Sequence, residues 1–396
     1  MITNPPFPKN YSRELLVMDR GEGVYLYDRT GNKYLDFGSG IAVNALGYGR
    51  SDLAETAAGQ MRKLIHISNL YATEPALHLA ELLITLGDFS AVHFGNSGSE
   101  ANESAIKYAR LYSLRTKGDG HHKILAFENG FHGRTLGALS CTASEKYQGP
   151  FRPLIPGITF SPYNDEEKLE ELLDDSYSCI LAEVIQGEGG LQSMNRAFAE
   201  RLNSLCKKHD VLLIADEVQT GLGRTGFALA SEIVGLKPDI VTLSKPLAGG
   251  LPLSATLIPE KINSLLHIGE HGTTFGGGPV TTAVAGVVLD KVLQKEFLSG
   301  VRKKGEYLKS RLREIAKSVS FPAEVRGEGL LQGISLHLPE DHTQEIMTDI
   351  LTKCREKGLI LLRSGVSVLR IAPPLIISEN EIKEGTDIIS SVLSNL

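Results

Sequence analysis

Cysteine is scarce, and the four present (Cys141, Cys179, Cys206 and Cys354) are widely spaced. No two form a C-x-x-C pair, so neither a disulfide framework nor a zinc cage is expected, and reduced thiols in the cytoplasm are the default. Charge of one sign is also lacking: 41 basic against 47 acidic side chains leave a net −6. That balance advertises neither a nucleic-acid binder nor an acidic tail. No apolar run approaches the roughly 18 residues that a membrane span needs, and the first ten residues carry no apolar signal core. Low-complexity stretches and fixed-period repeats are missing too. What remains is an ordinary globular balance, with 42% apolar and 22% charged residues in 396. A chain of that length buries a large core and divides into about two to three domains.

Glycine is the excess, 41 residues in all, clustered at 221–226, 249–250 and 276–278. Near the N-terminus, Val24–Tyr27 and Tyr34–Phe37 flank a turn at Asp28–Asn32 and read as a hairpin. From about residue 75 short apolar runs recur at Ala91–Phe94, Ile124–Phe127, Cys179–Ala182, Val211–Ile214 and Ile240–Leu243. Unalternating runs of this kind suit a parallel sheet covered on both faces. Helical segments lie between them. Ser97-x-x-Glu100 matches a capping box and opens a helix with Ala101, Ala105, Tyr108, Ala109 and Tyr112 on one face. Further on, a long helix is expected near 281–314, a strand pair at 323–337, a helix at 343–357, a strand at 367–371, and a last helix capped by Ser378-x-x-Glu381. Strands alternating with helices imply an α/β fold with a mostly parallel sheet, followed by a smaller α+β domain. The expected division is an N-terminal segment over 1–70, a large domain over 71–300 and a small domain over 301–396.

In open α/β sheets ligands bind at the carboxyl ends of the strands. After Phe94 comes Gly95-Asn96-Ser97-Gly98-Ser99-Glu100, a small-residue turn into a helix N-terminus, where free N–H groups and the helix dipole favour an anion such as phosphate. No Gly-Lys-Ser/Thr follows, so it is not a Walker loop, and Gly221–Gly226 follows no strand directly and opens no clear helix. Alone, the turn is more simply a cap. Asp216 ends one buried run and Lys245 follows the next. A buried carboxylate needs a partner, and a buried ammonium loses its charge easily. Singly, each is more simply a strand-end charge turned to solvent. Together with the anion turn they make a sharper set. Imine-forming lysine, acid for a pyridinium nitrogen and phosphate cup are the parts of a pyridoxal phosphate site.

At this point the chain resembles the class III aminotransferases of the fold-type I pyridoxal-phosphate superfamily, from about residue 15 to the end. Six ordered motifs carry the resemblance: Asn96–Glu103 (Asn-Ser-Gly-Ser-Glu-Ala-Asn-Glu), Phe131–Thr135 (Phe-His-Gly-Arg-Thr), Glu183–Gly190 (Glu-Val-Ile-Gln-Gly-Glu-Gly-Gly), Asp216–Gly221 (Asp-Glu-Val-Gln-Thr-Gly), Leu243-Ser244-Lys245 and His271–Gly277 (His-Gly-Thr-Thr-Phe-Gly-Gly). Within the class, Gly38–Asn44 and Phe131–Ser140 are most similar to acetylornithine aminotransferases. The resemblance implies the reaction of N-acetylornithine with 2-oxoglutarate, giving N-acetylglutamate semialdehyde and glutamate, in arginine synthesis. It also implies that Lys245 holds the cofactor as an imine and carries the proton, and that Asp216 pairs with the pyridinium nitrogen. Gln219 would contact the ring hydroxyl, Phe131 would stack on the ring, and Gly98 and Ser99 would hold the phosphate, helped by Thr274 from the second subunit of a homodimer. No metal, membrane or nucleic acid is implied.

For substrate, the resemblance places Thr273 in the binding set and gives Arg134 a carboxylate clamp, bidentate work suited to guanidinium. Arg370 would take glutamate's α-carboxylate, with Glu188 neutralising it while the other donor is bound. The plain alternative for Glu188 and Arg370 is a static surface ion pair worth about 0–1 kcal/mol. Other class III substrates compete: ornithine, 4-aminobutyrate, succinyl-diaminopimelate or carrier-linked lysine, and further off an aminomutase. Gly40 stands where ornithine enzymes place a tyrosine and so leaves room for an acyl group. Tyr48–Ser51, Pro246 and Gly278 depart from the family pattern without removing a catalytic group.

Overall fold

The computed structural model describes residues 7–11 and 16–396, so the reading of the first ten residues falls largely outside the described residues. A seven-stranded sheet runs in the spatial order Ala91–Gly95, Ser254–Ile258, Ile240–Leu243, Leu212–Asp216, Tyr177–Ala182, Lys123–Phe127, Ile158–Ser161. All its pairings are parallel except the two made by Ser254–Ile258, which runs against both neighbours. The α/β expectation holds, as a mixed sheet.

The central strands are mainly apolar because both faces are covered. Leu212 and Ile214 belong to one core cluster with Ala105, Ile106 and Ala109 of the Gly98–Lys117 helix. Leu213 and Ala215 belong to the other, with Phe198, Leu202 and Leu205 of the Arg196–His209 helix. Successive residues point to opposite faces, so burial on both erases the polar alternation. Two strands escaped the sequence reading, Ile158–Ser161 and Ser254–Ile258, because hydroxyl residues interrupt their apolar runs. Thr256 tolerates burial by donating to the carbonyl of Ala101 at 3.0 Å.

A second core joins the two ends of the chain. The antiparallel hairpin of Tyr25–Asp28 and Lys33–Asp36 forms as expected, and its Leu35, with Phe37, packs with Leu308, Leu312, Ile334 and Ile389 from the C-terminal part. The Leu359–Ile360 strand extends the hairpin in parallel. The strand pair is Ala323–Glu328 with Leu331–Leu336, and helices span Thr343–Glu356 and Glu379–Leu393. Ser378 and Glu381 form the full reciprocal capping box. Ser97 forms half of one: it accepts from the Glu100 N–H, while the Glu100 carboxylate turns to the backbone and side chain of Asn96. The single long helix expected over 281–314 is two, Pro279–Val292 and Lys295–Ser318. Gln294 leaves the helical region at ψ 135°, and its side chain caps back onto the Asp290 carbonyl.

Candidate active site

Six of the strands present their carboxyl ends to one edge of the sheet, and the loops that follow five of them carry the chemistry. Gly98, Ser99, Phe131, Asp216, Gln219, Lys245 and Glu188 line one cavity of about 170 Å³, with Asn102, His132, Glu183 and Val218. Residues more than a hundred positions apart meet there because parallel strands deliver their ends side by side.

Asp216 is only 5% exposed and fully engaged. Its Oδ2 accepts from Asn102 Nδ2 at 2.8 Å and lies 2.8 Å from His132 Nδ1, while Oδ1 accepts the Val218 N–H at 3.1 Å. Asn102 is itself held by the Thr242 hydroxyl at 2.8 Å. Burial works against the His132 imidazolium, but the hydrogen bond and charge of Asp216 outweigh it and raise the ring above its ordinary value. The carboxylate is therefore positioned from its back and one side. Asn102, His132 and Glu183 escaped the sequence reading, although all three sit inside the quoted motifs. The available signal was Asn102, a polar residue on the same helix face as Ala101 and Ala105.

Burial, and secondarily the positive charge of Arg370, bring the Lys245 amine down to about 8. Such an amine reaches its neutral, nucleophilic form at far lower pH than a solvated lysine does. Burial likewise raises the Glu183 carboxyl, which accepts the N–H groups of Phe131 at 2.9 Å and Gly187 at 3.2 Å. Glu183 thereby ties the Phe131 loop to the segment that carries Glu188.

Arg134 is exposed, lies 3.7 Å over the Tyr147 ring and 5.5 Å from that of Phe131, and makes no ion pair among the described residues. Its backbone N–H is held by Ser99 Oγ at 3.1 Å. Arg370 is the opposite case. It is 3% exposed, pairs with Glu188, and donates to the Gly187 carbonyl at 2.9 Å. The pair is buried on its arginine side, so the surface ion pair weighed against the switch is not what forms. Two guanidiniums thus stand beside the cavity, one open and one carrying its own counter-charge.

Within this one chain Thr273 and Thr274 do not reach the cavity. Thr274 is exposed and lines a separate cleft of about 240 Å³ with His66, Ile67, Tyr71, Leu77 and Phe94. The loop is anchored by Asn69, which donates to the carbonyls of Thr273 and Gly276. Gly40 lies in a left-handed turn at φ 64°, where an added Cβ would stand 2.9 Å from Asn44 Nδ2. Two of the departures from the family pattern are accommodated: Tyr48 donates to the buried Asp36 carboxylate, and Pro246 is buried beside Lys245.

The cavity suits a planar, anionic ring compound with a carbonyl. Gln219 Oε1 is buried there without a partner. At Gly98 a Cβ would fall 2.5 Å from Val218 Cγ1, so backbone and not side chain faces the space at the helix N-terminus. A nucleophilic amine, a positioned carboxylate, apolar walls from Phe131 and Val218, and free first-turn N–H groups match the donors that pyridoxal phosphate needs. Among the described residues no group of three or more His, Cys, Asp or Glu gathers to hold a metal, and no helix is long and apolar enough to cross a membrane.

Comparison with known proteins agrees with this geometry. The family model "Aminotransferase class-III" matches residues 7–393. An acetylornithine aminotransferase of Caldanaerobacter subterraneus subsp. tengcongensis is 42% identical over 98% of this chain and 96% of its own length. The crystal structure of N-acetylornithine aminotransferase from Stenotrophomonas maltophilia superposes with TM-score 0.83 at 33% identity, covering 97% of each chain. The ornithine aminotransferase of Toxoplasma gondii, whose structure reports partial occupancy of PLP at the active site, superposes with TM-score 0.91 at 30% identity over 98% of this chain and 92% of that one.

Proposed function

We propose that this chain, which belongs to the class III aminotransferases, transfers the terminal amine of N2-acetylornithine to 2-oxoglutarate. The products are N-acetylglutamate semialdehyde and glutamate, a step of arginine synthesis. The observation that carries the substrate choice is the contrast between two guanidiniums: Arg134 unpaired on Tyr147, and Arg370 buried and neutralised by Glu188. Acetylornithine has one carboxylate, remote from the reacting carbon, and Arg134 offers it a single bidentate clamp. Glutamate has two, and the second displaces Glu188 from Arg370. A site with a removable internal counter-charge accepts both molecules without leaving a buried charge unpaired.

Gly98, Ser99, Phe131, Asp216, Gln219 and Lys245 would hold the cofactor. When bound, pyridoxal phosphate supplies an electron sink for the carbon that loses its proton. Lys245 Nζ takes that proton and returns it, which its lowered basicity permits. Asp216, held by Asn102 and His132, would pair with the ring nitrogen. Phe131 and Val218, which line the cavity, would exclude water from the bound ring. A homodimer completes the site, with Thr273 and Thr274 of each copy serving the other. The support is the exposure of Thr274 in a cleft bordered by the exposed apolar side chains of Ile67, Tyr71 and Leu77.

The test is a donor panel with 2-oxoglutarate as acceptor. N2-acetylornithine is expected to exceed ornithine and 4-aminobutyrate at least tenfold in kcat/KM. Preference for either unacylated amine would replace the substrate while leaving the transaminase chemistry in place.

A further inference from the structure

His271 opens the last shared motif, yet the reading above gives it no task. Its surroundings determine its protonation. Lys107 Nζ lies 2.7 Å from His271 Nδ1, and an ammonium can only donate, so Nδ1 carries a lone pair. Ser104 Oγ lies 2.8 Å from Nε2, but its single O–H is given to the Glu100 carbonyl at 2.9 Å. Ser104 must then accept, so Nε2 carries the hydrogen. One neutral tautomer satisfies both contacts, and a protonated ring would aim a second N–H at an ammonium. Ser104 and Lys107 both belong to the Gly98–Lys117 helix, whose N-terminus lines the active-site cavity.

We propose that His271 is a positioning residue that pins the 271–278 loop to this helix, presenting Thr273 and Thr274 in fixed register to a second copy's phosphate site, and that its protonation releases the loop. The proposal rests on the assignment of Thr274 made above. It rests equally on the rigidity of the loop's other attachments, because Gly276 packs so closely that a Cβ would sit 2.3 Å from the Phe94 carbonyl.

The charged and titratable groups facing His271 come from two elements. On the helix they are Lys107 and Glu103, with Tyr108 edge-on at 5.6 Å between ring centres. On the neighbouring strand His93 stacks on it at 4.5 Å, and Glu100 acts on His93. Burial first and Lys107 second lower His271 below its ordinary 6.5, and Glu103 only partly opposes them. Burial, then His271, holds His93 near 4, so it stays neutral across the same range. A ring whose folded value is depressed contributes fully above the unfolded value of 6.5 and loses its contribution as pH falls from there through the folded value.

The experiment titrates apoprotein with pyridoxal phosphate, followed by absorbance, at about pH 8 and about pH 5.5, in wild type, His271→Gln, His271→Ala and Thr274→Val. Glutamine keeps both contacts, an amide N–H for Ser104 and an oxygen for Lys107, and does not titrate. Wild type should lose about tenfold more affinity than His271→Gln between the two pH values. His271→Ala should bind at least tenfold more weakly than wild type at about pH 8, with His271→Gln within threefold of wild type there, and wild type should approach His271→Ala at about pH 5.5. Equal pH dependence in wild type and His271→Gln, or full affinity in His271→Ala, overturns the proposal. Weak binding by Thr274→Val with tight binding by His271→Ala removes His271 alone. Tight binding by Thr274→Val removes the Thr274 assignment and this proposal with it.

Discussion

Two side chains at the site, Lys245 and Glu188, act in ways that experiments can separate. The Lys245 amine, drawn down from 10.5 to about 8 chiefly by burial, is neutral above about 8 and an ammonium below. Its reaction with an amine-specific reagent in the apoprotein, read by mass spectrometry, should therefore rise through about pH 8; a rise confined to the range near 10.5 would show the amine to be solvated. Lys245→Ala should lose transamination by at least about a thousandfold while retaining some cofactor, because one amine is both nucleophile and proton carrier. Glu188 acts through charge. With Glu188→Gln, Arg370 stays buried without its counter-charge whenever the one-carboxylate donor is bound, whereas glutamate brings its own. kcat/KM for acetylornithine should fall tenfold or more, about 1.4 kcal/mol per decade, with glutamate unchanged or improved in single-turnover measurements. Equal losses for both donors would leave Glu188 a merely structural partner. Both side chains were legible as candidates in the sequence. What was not legible was the degree to which Arg370 is buried, since its partner stands 182 residues away along the chain.

At the scale of elements, packing between the first hairpin and the last helix couples the two ends of the chain. Gly385, on the Glu379–Leu393 helix, leaves room for the ring of Phe37: a Cβ there would stand 2.1 Å from Phe37 Cζ. Phe37 is fully buried, so it has nowhere to retreat. Gly385→Ala should cost about 1–3 kcal/mol through overpacking, despite alanine's better helix propensity. Urea denaturation decides it, and a variant as stable as wild type would mean that the helix slides freely over the hairpin. The sequence marks this helix well, because a capping box and apolar periodicity are local signals. It does not mark Gly385 as a contact, because close approach of a distant ring leaves no local trace.

Across the whole molecule the prediction concerns assembly. The exposed apolar side chains of Tyr71 and Leu77, 68% and 54% exposed, border the cleft that contains Thr274. If that face meets a second copy, Leu77→Glu should shift the protein towards monomer in sedimentation equilibrium and weaken cofactor binding in parallel, because charge in a buried interface is unfavourable. A fully active monomer would dismiss the dimer and the trans role of Thr274 together.

By itself the sequence determined the α/β class, most of the central strands, the capped helices and the identities of the residues at the strand ends. These are governed by short-range physics: apolar runs, helix caps, and charged residues that terminate buried segments. Only the tertiary structure decided that one sheet strand runs antiparallel, that Asn102 and His132 grip Asp216, and that the Arg370 paired with Glu188 is buried. Each of these depends on which distant segments become neighbours. Strand direction and partner choice are set by how covered faces and hydrogen-bond needs are satisfied at once across the fold, and no local window of residues contains that information.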